Sequence, residues 1–213
     1  MKKLTLYCLL AFVIIACSTT KPVTGADGWI PLFDGKSLTN WKVNENPETF
    51  KVENGAIVVN GPRAHLFYEG PEMNHTFKNF EFKAQVMTTP GSNSGIFIHT
   101  AFQENGWPAQ GYEVQVNNSQ SDWRRTGSLY TFQDVREVYV PDNKWFTEHI
   151  VVQDKHVTIK VNDKTVVDYT EPDNVWRPAD AKGKVISSGT FALQGHDPKS
   201  KVYFKDIMVK PLP

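Results

Sequence analysis

Residues 111–117 read Gly-Tyr-Glu-Val-Gln-Val-Asn, and this stretch decides the fold class. Its odd-numbered positions from Glu113 to Asn117 are polar, whereas Tyr or Val occupies the even-numbered positions between them. Because successive side chains of a strand point to opposite faces of a sheet, this alternation predicts a strand with one polar and one apolar face. Polar residues on one face are also the usual sign of a solvated outer surface, and this remains the alternative reading.

The same period of two continues on both sides of this stretch, in short runs separated by Gly, Pro, Asn and Asp. We predict strands at residues 49–53, 56–60, 79–88, 94–100, 111–117, 128–132, 147–153, 156–162, 164–170, 189–194 and 201–209. No long window shows the 3.6-residue period of a helix, and residues 172–188 form the longest predicted loop. Short strands joined by tight turns favour an all-β antiparallel sandwich or jelly roll.

Composition excludes two classes of protein. The chain has 213 residues, with 23 basic and 23 acidic side chains, so it lacks the positive charge that binds nucleic acid. Its hydrophobic share of 40% excludes a disordered chain. We therefore expect one folded domain, at residues 28–213, and no nucleic-acid partner.

The N-terminal residues predict export. Lys2 and Lys3 precede an apolar run at residues 4–16 that has the length of a signal peptide rather than a membrane span. The run ends in Ile-Ile-Ala before Cys17 and resembles the lipobox of bacterial lipoproteins. We expect a signal at residues 1–16, a lipidated Cys17 that is the sole contact with the membrane, and a tether at residues 17–27. The protein would then lie in the cell envelope, on the periplasmic or outer-membrane surface. The alternative is an ordinary secretory signal cleaved near residues 25–26.

Several motifs occur in an order that resembles the 3-keto-disaccharide hydrolase family. They are Pro-Leu-Phe-Asp-Gly-Lys-Ser-Leu at 31–38, Trp41, Asn-Phe-Glu-Phe at 79–82, Asn-Ser-Gly-Ile-Phe at 93–97, Gly-Tyr-Glu-Val-Gln at 111–115, Thr-Gly-Ser-Leu-Tyr at 126–130 and Leu-Gln-Gly-His at 193–196. The resemblance spans residues 28–213 and implies a concanavalin A-like jelly roll with a sugar-binding cleft on its concave face. It also implies action on 3-keto-glycosides. The chain departs from the family pattern at residues 61–66 and 144–147. These departures affect the prediction of the substrate more than the prediction of the fold.

The implied chemistry needs one base and one positive group. A ketone at C3 of the sugar acidifies the C2 proton, so a base can remove it and the resulting enolate can expel the oxygen at C1. We predict Glu113 as the catalytic carboxylate and His196 as a second catalytic group, acting in proton transfer or as a metal ligand. A divalent metal held by Glu113, His196 and His99 would polarise the ketone, and no organic cofactor is expected. The alternative for His196 is a loop histidine without a catalytic role. The alternatives for His99 are a strand-end histidine whose hydrogen bonds are satisfied by its neighbours, or a substrate contact.

Further side chains are predicted to contact the sugar. Amides, arginines and aromatic rings are the groups that hydrogen-bond hydroxyls or stack on sugar faces. The predicted substrate contacts are Gln115, Gln194, His99, Arg63, Tyr130, Trp107 and Trp123, with His65, Arg124 and Arg125 as further cleft candidates. Solvated arginines and tryptophans packed within loops are the alternative interpretation.

These observations predict an exported enzyme that cleaves 3-keto-glycosides in carbohydrate catabolism, with net hydrolysis or elimination as the outcome. A sugar oxidoreductase that makes the keto substrate is the implied functional partner. The alternative is a non-catalytic carbohydrate-binding lectin on the same frame. An ordinary glycosidase or glycan lyase ranks third, because the predicted strands carry no pair of opposed carboxylates.

Overall fold

The period-two alternation builds two antiparallel sheets. The computed structural model describes residues 27–213, so the predicted signal peptide, Cys17 and nearly all of the predicted tether lie outside the described residues. The strands are β1 (Ile30–Pro31), β2 (Trp41–Val43), β3 (Phe50–Glu53), β4 (Ala56–Val59), β5 (Ala64–Tyr68), β6 (Phe80–Thr88), β7 (Ser94–Thr100), β8 (Tyr112–Val116), β9 (Phe146–Gln153), β10 (His156–Val161), β11 (Lys164–Thr170), β12 (Thr190–Gly195) and β13 (Val202–Pro211). Three short 3-10 helices lie at Pro47–Thr49, Glu72–His75 and Ala179–Ala181. The all-β expectation is confirmed.

The larger sheet has eight strands in the order β11-β10-β9-β6-β13-β4-β3, with β1 also paired to β13. β13 pairs with β4 and, further along the chain, with β1. Its register shifts between Lys205 and Met208, where Asp206 has a positive φ of 49°, and this shift separates the two pairings. Burial alternates residue by residue along β6 and β9, as expected for a sheet with one face on the core and one toward solvent.

The smaller sheet has five strands in the order β2-β5-β12-β7-β8. Every residue of β5, β7 and β12 is buried, so both faces of this sheet are covered. One face packs on the larger sheet, where the ring of Phe191 lies 4.9 Å from Phe80 and 4.8 Å from Phe82. Each such buried ring contributes about 1.5–3 kcal/mol to stability. The other face is covered by loops, and the candidate site lies there.

Three predicted features need correction. Residues 128–132 are not a strand, because Leu129 makes only isolated bridges to Val114 and Gln133 and Thr131 turns the chain with a φ of 67°. Strand β5 was not predicted, since burial on both faces removes the alternation by which strands are detected. The short strands β1 and β2 were missed as well. The long loop expected at residues 172–188 is present and contains only the helix Ala179–Ala181.

Within residues 27–213, no helix has the length and apolar character needed to cross a membrane.

Candidate active site

A cavity of about 530 Å³ opens on the outer face of the five-stranded sheet. Strand residues Phe97, Glu113, Gln115 and Gln194 form its base. Most of its walls come from three irregular segments: residues 101–111, which follow β7, residues 117–145, which follow β8, and residues 171–189, which follow β11. Asn93, before β7, and His196, after β12, complete the walls. This volume suits a small sugar, since pockets for small molecules typically hold about 300–1,000 Å³.

Glu113 lies at the base of this cavity, on the polar face predicted for β8. Its Oε1 accepts a hydrogen bond of 2.7 Å from Nε2 of Gln194, which lies on β12 with β7 between the two strands. The carboxyl is partly exposed to the cavity, yet burial raises its pKa to about 7. The bond from Gln194 and the charge of Lys184 oppose this rise, whereas the charge of Asp122 adds to it. A carboxylate with such a pKa is suited to accept a proton near neutral pH.

Gly95 makes room for the Glu113 side chain. A Cβ atom at position 95 would lie 2.6 Å from Oε1 of Glu113 and 3.0 Å from its Cγ. Real Cβ atoms do not approach other atoms so closely, so any larger residue would displace the carboxyl. The motif Asn-Ser-Gly-Ile-Phe thus contains a glycine that positions the carboxylate of the neighbouring strand.

Three amide oxygens at this site have no hydrogen-bond partner within the described protein. They are Oδ1 of Asn93, Oε1 of Gln115 and Oε1 of Gln194, all from residues that line the cavity. The three residues are at most 4% exposed. Since nearly all buried polar atoms in proteins are hydrogen-bonded, these oxygens indicate a ligand that donates several hydrogen bonds. A sugar carries such donors in its hydroxyl groups.

His196 lies in the cavity wall, directly after β12. Its Nδ1 lies 2.7 Å from Oδ2 of Asp197. Burial works to raise the pKa of Asp197, but hydrogen bonds from His196, the Lys199 N–H and Ser200 outweigh it, and the pKa lies below its usual value. Because an ionised carboxylate can only accept, Nδ1 of His196 donates to it. In the neutral ring, Nε2 is then free to accept a proton.

The structure does not bring the predicted metal ligands together. His99 is fully buried, outside the cavity lining; its Nε2 donates to the carbonyl of Lys78 (2.8 Å) and its Nδ1 accepts from the Ser187 N–H (3.2 Å). Strict alternation along β7 would place His99 on the same face as Gly95 and Phe97, but His99 has a φ of 54° and its ring packs on Phe80 in the core. His99 is a satisfied structural histidine, and its predicted roles as ligand and substrate contact were wrong. Among residues 27–213, no group of three or more His, Cys, Asp and Glu side chains is placed to hold a metal ion, so the predicted donor set does not fit one.

Trp107 forms one wall of the cavity and covers His65. The two rings meet edge to face at 5.3 Å, and the ring of His196 lies 5.7 Å from Trp107. His65 is buried without a hydrogen-bond partner on either nitrogen, and burial lowers its pKa to about 3. Arg63 lies 5.7 Å from the Trp107 ring and pairs with Glu45 at 3.0 Å. Arg63 therefore supports Trp107 from behind, and its predicted direct contact with the sugar is not seen in the cavity lining.

Tyr130 lines the cavity as predicted, with its hydroxyl donating to Asp122 at 3.1 Å. Trp123 does not line it, because this ring lies between the guanidinium groups of Arg124 (4.6 Å) and Arg136 (4.0 Å). The prediction that Trp123 contacts the sugar was therefore wrong, because its ring lies outside the cavity lining. Arg124 also pairs with Asp134 at 3.2 Å. Arg125 binds the carbonyls of Gln120 and Asp122 (both 2.8 Å), so both arginines hold loops rather than substrate.

Lys184 and Asp180 line the cavity, and no sequence pattern pointed to either residue. Both lie in the loop at 172–188, where no periodicity assigns a direction to a side chain. Lys184 donates from Nζ to the carbonyl of Pro108 at 2.6 Å. Burial lowers its pKa, and the nearby carboxylate of Glu113 opposes that shift. Only the tertiary structure shows that this cation shares a cavity with Glu113.

The two antiparallel sheets with a sugar-sized cavity on the smaller one define a concanavalin A-like jelly-roll protein. Solved structures agree with this class. A candidate glycosyl hydrolase from Parabacteroides distasonis superposes with a TM-score of 0.75 at 24% identity, over 88% of this chain and 95% of that one. A non-specific endo-beta-1,3(4)-glucanase from family GH16 superposes with a TM-score of 0.55 at 13% identity, over 89% and 93% of the two chains. At these identities the likeness establishes the fold alone.

The family follows from the sequence match. The model of the 3-keto-alpha-glucoside-1,2-lyase-like domain matches residues 28–210, and the chain belongs to this family. A curated relative, a 3-keto-disaccharide hydrolase from Bacteroides thetaiotaomicron, is 29% identical over 171 residues. The match covers 68% of this chain and 59% of the relative, so this chain spans well under two thirds of that protein's length.

Proposed function

We propose that this protein is a glycoside-acting enzyme that cleaves 3-keto-glycosides in the cavity around Glu113. The observation that carries the proposal is the Glu113 carboxyl, which lies at the base of a sugar-sized cavity, is held by Gln194 at 2.7 Å and has a pKa of about 7. A lectin has no need for a carboxyl that is costly to ionise, whereas a general base at neutral pH requires one. Family membership and the name of the curated relative support the same substrate class.

In the proposed reaction, Glu113 removes the proton at C2 of the sugar. The electron pair left at C2 forms an enolate with the C3 carbonyl, and its collapse forms a C1=C2 double bond while the C1–O bond breaks. The proton taken up by Glu113 passes to Nε2 of His196, which is oriented by Asp197, and from there to the leaving oxygen. Addition of water to the unsaturated product gives net hydrolysis. The free amide oxygens of Asn93, Gln115 and Gln194 accept bonds from sugar hydroxyls and fix the ring over Glu113.

The substrate class also places the protein in a reaction sequence. A 3-keto-glycoside arises when the C3 hydroxyl of a glycoside is oxidised, so an oxidoreductase acting on sugars must supply the substrate. We propose that the oxidation at C3 and the cleavage of the resulting 3-keto-glycoside are steps of carbohydrate catabolism in the cell envelope.

The function is tested with a nitrophenyl 3-keto-glucoside beside the unoxidised nitrophenyl glucoside. We expect release of nitrophenol from the keto compound only, because only its C2 proton is acidified. Release from both compounds would contradict the proposal and indicate an ordinary glycosidase that pairs Glu113 with Asp180, the other carboxylate in the lining. Binding of both compounds without release from either would indicate the lectin.

We expect Gly95→Ala to lower kcat for the keto substrate about 10²-fold, since misplacing a catalytic group by about 1 Å has an effect of this size. The added methyl group would lie 2.6 Å from Oε1 of Glu113 and force the carboxyl aside. The control is the same substitution in a Glu113→Asp background, whose side chain is one methylene shorter. There Gly95→Ala should cost much less, because the two substitutions interact through one contact. Equal losses in both backgrounds would show that Gly95 acts otherwise than through Glu113.

A further inference from the structure

The segment between β11 and β12 is fixed on both sides of Lys184. The carbonyl of Gly183 accepts a bond of 2.9 Å from the Gly111 N–H, and the carbonyl of Lys184 accepts one of 2.7 Å from Nε of Arg177. Arg177 is itself bound to the Tyr112 hydroxyl at 2.9 Å. A Cβ atom at Gly183 would lie 2.5 Å from the carbonyl oxygen of Ala109, so this close approach requires glycine. Lys184 is therefore held on an ordered backbone.

The Lys184 side chain reaches the cavity with donor capacity to spare. Its ammonium has three hydrogens, and the structure shows one of them in use, toward the Pro108 carbonyl at 2.6 Å. No other Lys or Arg side chain lies in the lining formed by the described part of the chain. Lys184 and Glu113 line the same cavity, and the Glu113 carboxylate counteracts the lowering of the Lys184 pKa by burial.

The proposed reaction requires a positive group at a particular place. When Glu113 takes the C2 proton, the negative charge moves to the oxygen on C3, and a donor held close to that oxygen lowers the barrier. A fixed ammonium in a partly dehydrated cavity meets this need without reorganisation of solvent.

We infer that the Lys184 ammonium binds the C3 oxygen of the keto sugar and stabilises the enolate, an inference that rests on the proposed function. In this step the C2–H bond breaks and its proton moves to Glu113. The electron pair forms the C2=C3 bond, and the C3–O π pair becomes the negative charge that Lys184 holds. When the enolate collapses, the C1–O bond breaks, and the leaving oxygen takes up the proton that Glu113 removed from C2, delivered through His196, so the elimination is balanced. Lys184 keeps its protons throughout.

The test separates proton removal from bond cleavage. 1,5-Anhydro-3-keto-glucitol has no leaving group at C1, so exchange of its C2 hydrogen in D₂O, followed by NMR, reports enolate formation alone. The native protein should catalyse this exchange. We expect Lys184→Met to slow it about 10²–10³-fold, the usual loss for one oxyanion donor, and Lys184→Arg to lose less because it keeps the charge. The control is Lys182→Met, an exposed lysine of the same segment, which should exchange at the native rate.

The pH dependence of kcat/KM distinguishes an electrostatic role of Lys184 from a merely structural one. Since the charge of Lys184 lowers the pKa of Glu113, Lys184→Met should move the rising limb of kcat/KM to higher pH. Exchange by Lys184→Met within threefold of the native rate, with the limb unmoved, would overturn the inference while leaving the proposed function intact. Covalent attachment of the sugar to Lys184 after borohydride treatment would also overturn it, because the lysine would then act through an imine. No exchange and no release by the native protein would overturn both.

Discussion

Glu113→Gln is expected to lower kcat on a 3-keto-glycoside by about 10²–10⁴-fold, the contribution of a positioned general base. The amide keeps the size of the carboxylate, and its Oε1 still accepts the bond from Nε2 of Gln194, which is 2.7 Å long in the native protein. Binding of the unoxidised glycoside should therefore change little. A large fall in kcat with unchanged affinity assigns Glu113 to the chemical step rather than to sugar recognition.

The pH dependence gives the same variant an independent signature. The base must be ionised, so kcat/KM of the native protein should rise with pH through an apparent pKa of about 7. The groups that set this value are burial, the bond from Gln194 and the charges of Lys184 and Asp122. Glu113→Gln should lack the rising limb.

Stability should move in the opposite direction to activity. The pKa of Glu113 in the folded protein lies above the usual 4.5 of a glutamate, so the folded state holds this proton more tightly than the unfolded chain. Its contribution to stability is therefore lost as pH rises from about 4.5 through about 7. At pH 8, Glu113→Gln should be at least as stable as the native protein.

The control for the kinetic predictions is Glu104→Gln, an exposed residue of the loop beside the cavity, which should retain native activity and pH dependence. Activity of Glu113→Gln within tenfold of native would rule out Glu113 as the base.

The second large effect is expected in the core, at Glu148 of β9. This side chain is fully buried, and neither of its carboxylate oxygens has a well-formed hydrogen bond in the described protein. The nearby Gly127 N–H, which donates to the Gln115 carbonyl at 2.9 Å, only opposes the rise in its pKa. It points to the same face as Phe146 and Ile150, and its neighbours across the sheet are Ala84 and Val161. Burial raises its pKa well above the usual range, because the ionised carboxylate would lose its hydration. An unsatisfied buried polar group costs about 1–3 kcal/mol.

Glu148→Met should therefore raise the free energy of unfolding by about 1–3 kcal/mol at pH 8, since it replaces an unpaired polar group by an apolar one of similar length. The sign of the pH effect follows from the raised pKa. Above about pH 4.5 the unfolded chain releases the proton that the folded chain keeps, so the native protein loses stability as pH rises from there toward the raised value. The stability gained by the variant should thus be larger at pH 8 than at pH 4.

Chemical denaturation at both pH values measures this difference. Glu48→Met is the matched control, because Glu48 is exposed and its substitution should change stability by less than about 0.5 kcal/mol. A Glu148→Met protein that is less stable than the native one at pH 8 would show that the carboxyl has a favourable partner in the core.

The sequence determined which side chains of an alternating strand share a face. Alternation places Glu113 and Gln115 on one face of β8, and Gln194 and His196 on one side of β12, and all four side chains meet in one cavity. Alternation gives no correct direction where the backbone leaves the extended conformation, and no signal where the sequence of a buried strand does not alternate. His99, with a φ of 54°, turns into the core, and β5 shows no polar face to detect.

The tertiary structure alone decided which loops close over that face. Lys184 lies 71 positions from Glu113 in the chain, and it reaches the cavity because Gly183 and Arg177 hold its backbone against other segments. Gly95 likewise acquires its role only when β7 and β8 are paired and the Glu113 carboxyl lies above it. A local pattern specifies the direction of a side chain within its own strand, whereas contacts between distant segments depend on packing that no local period encodes.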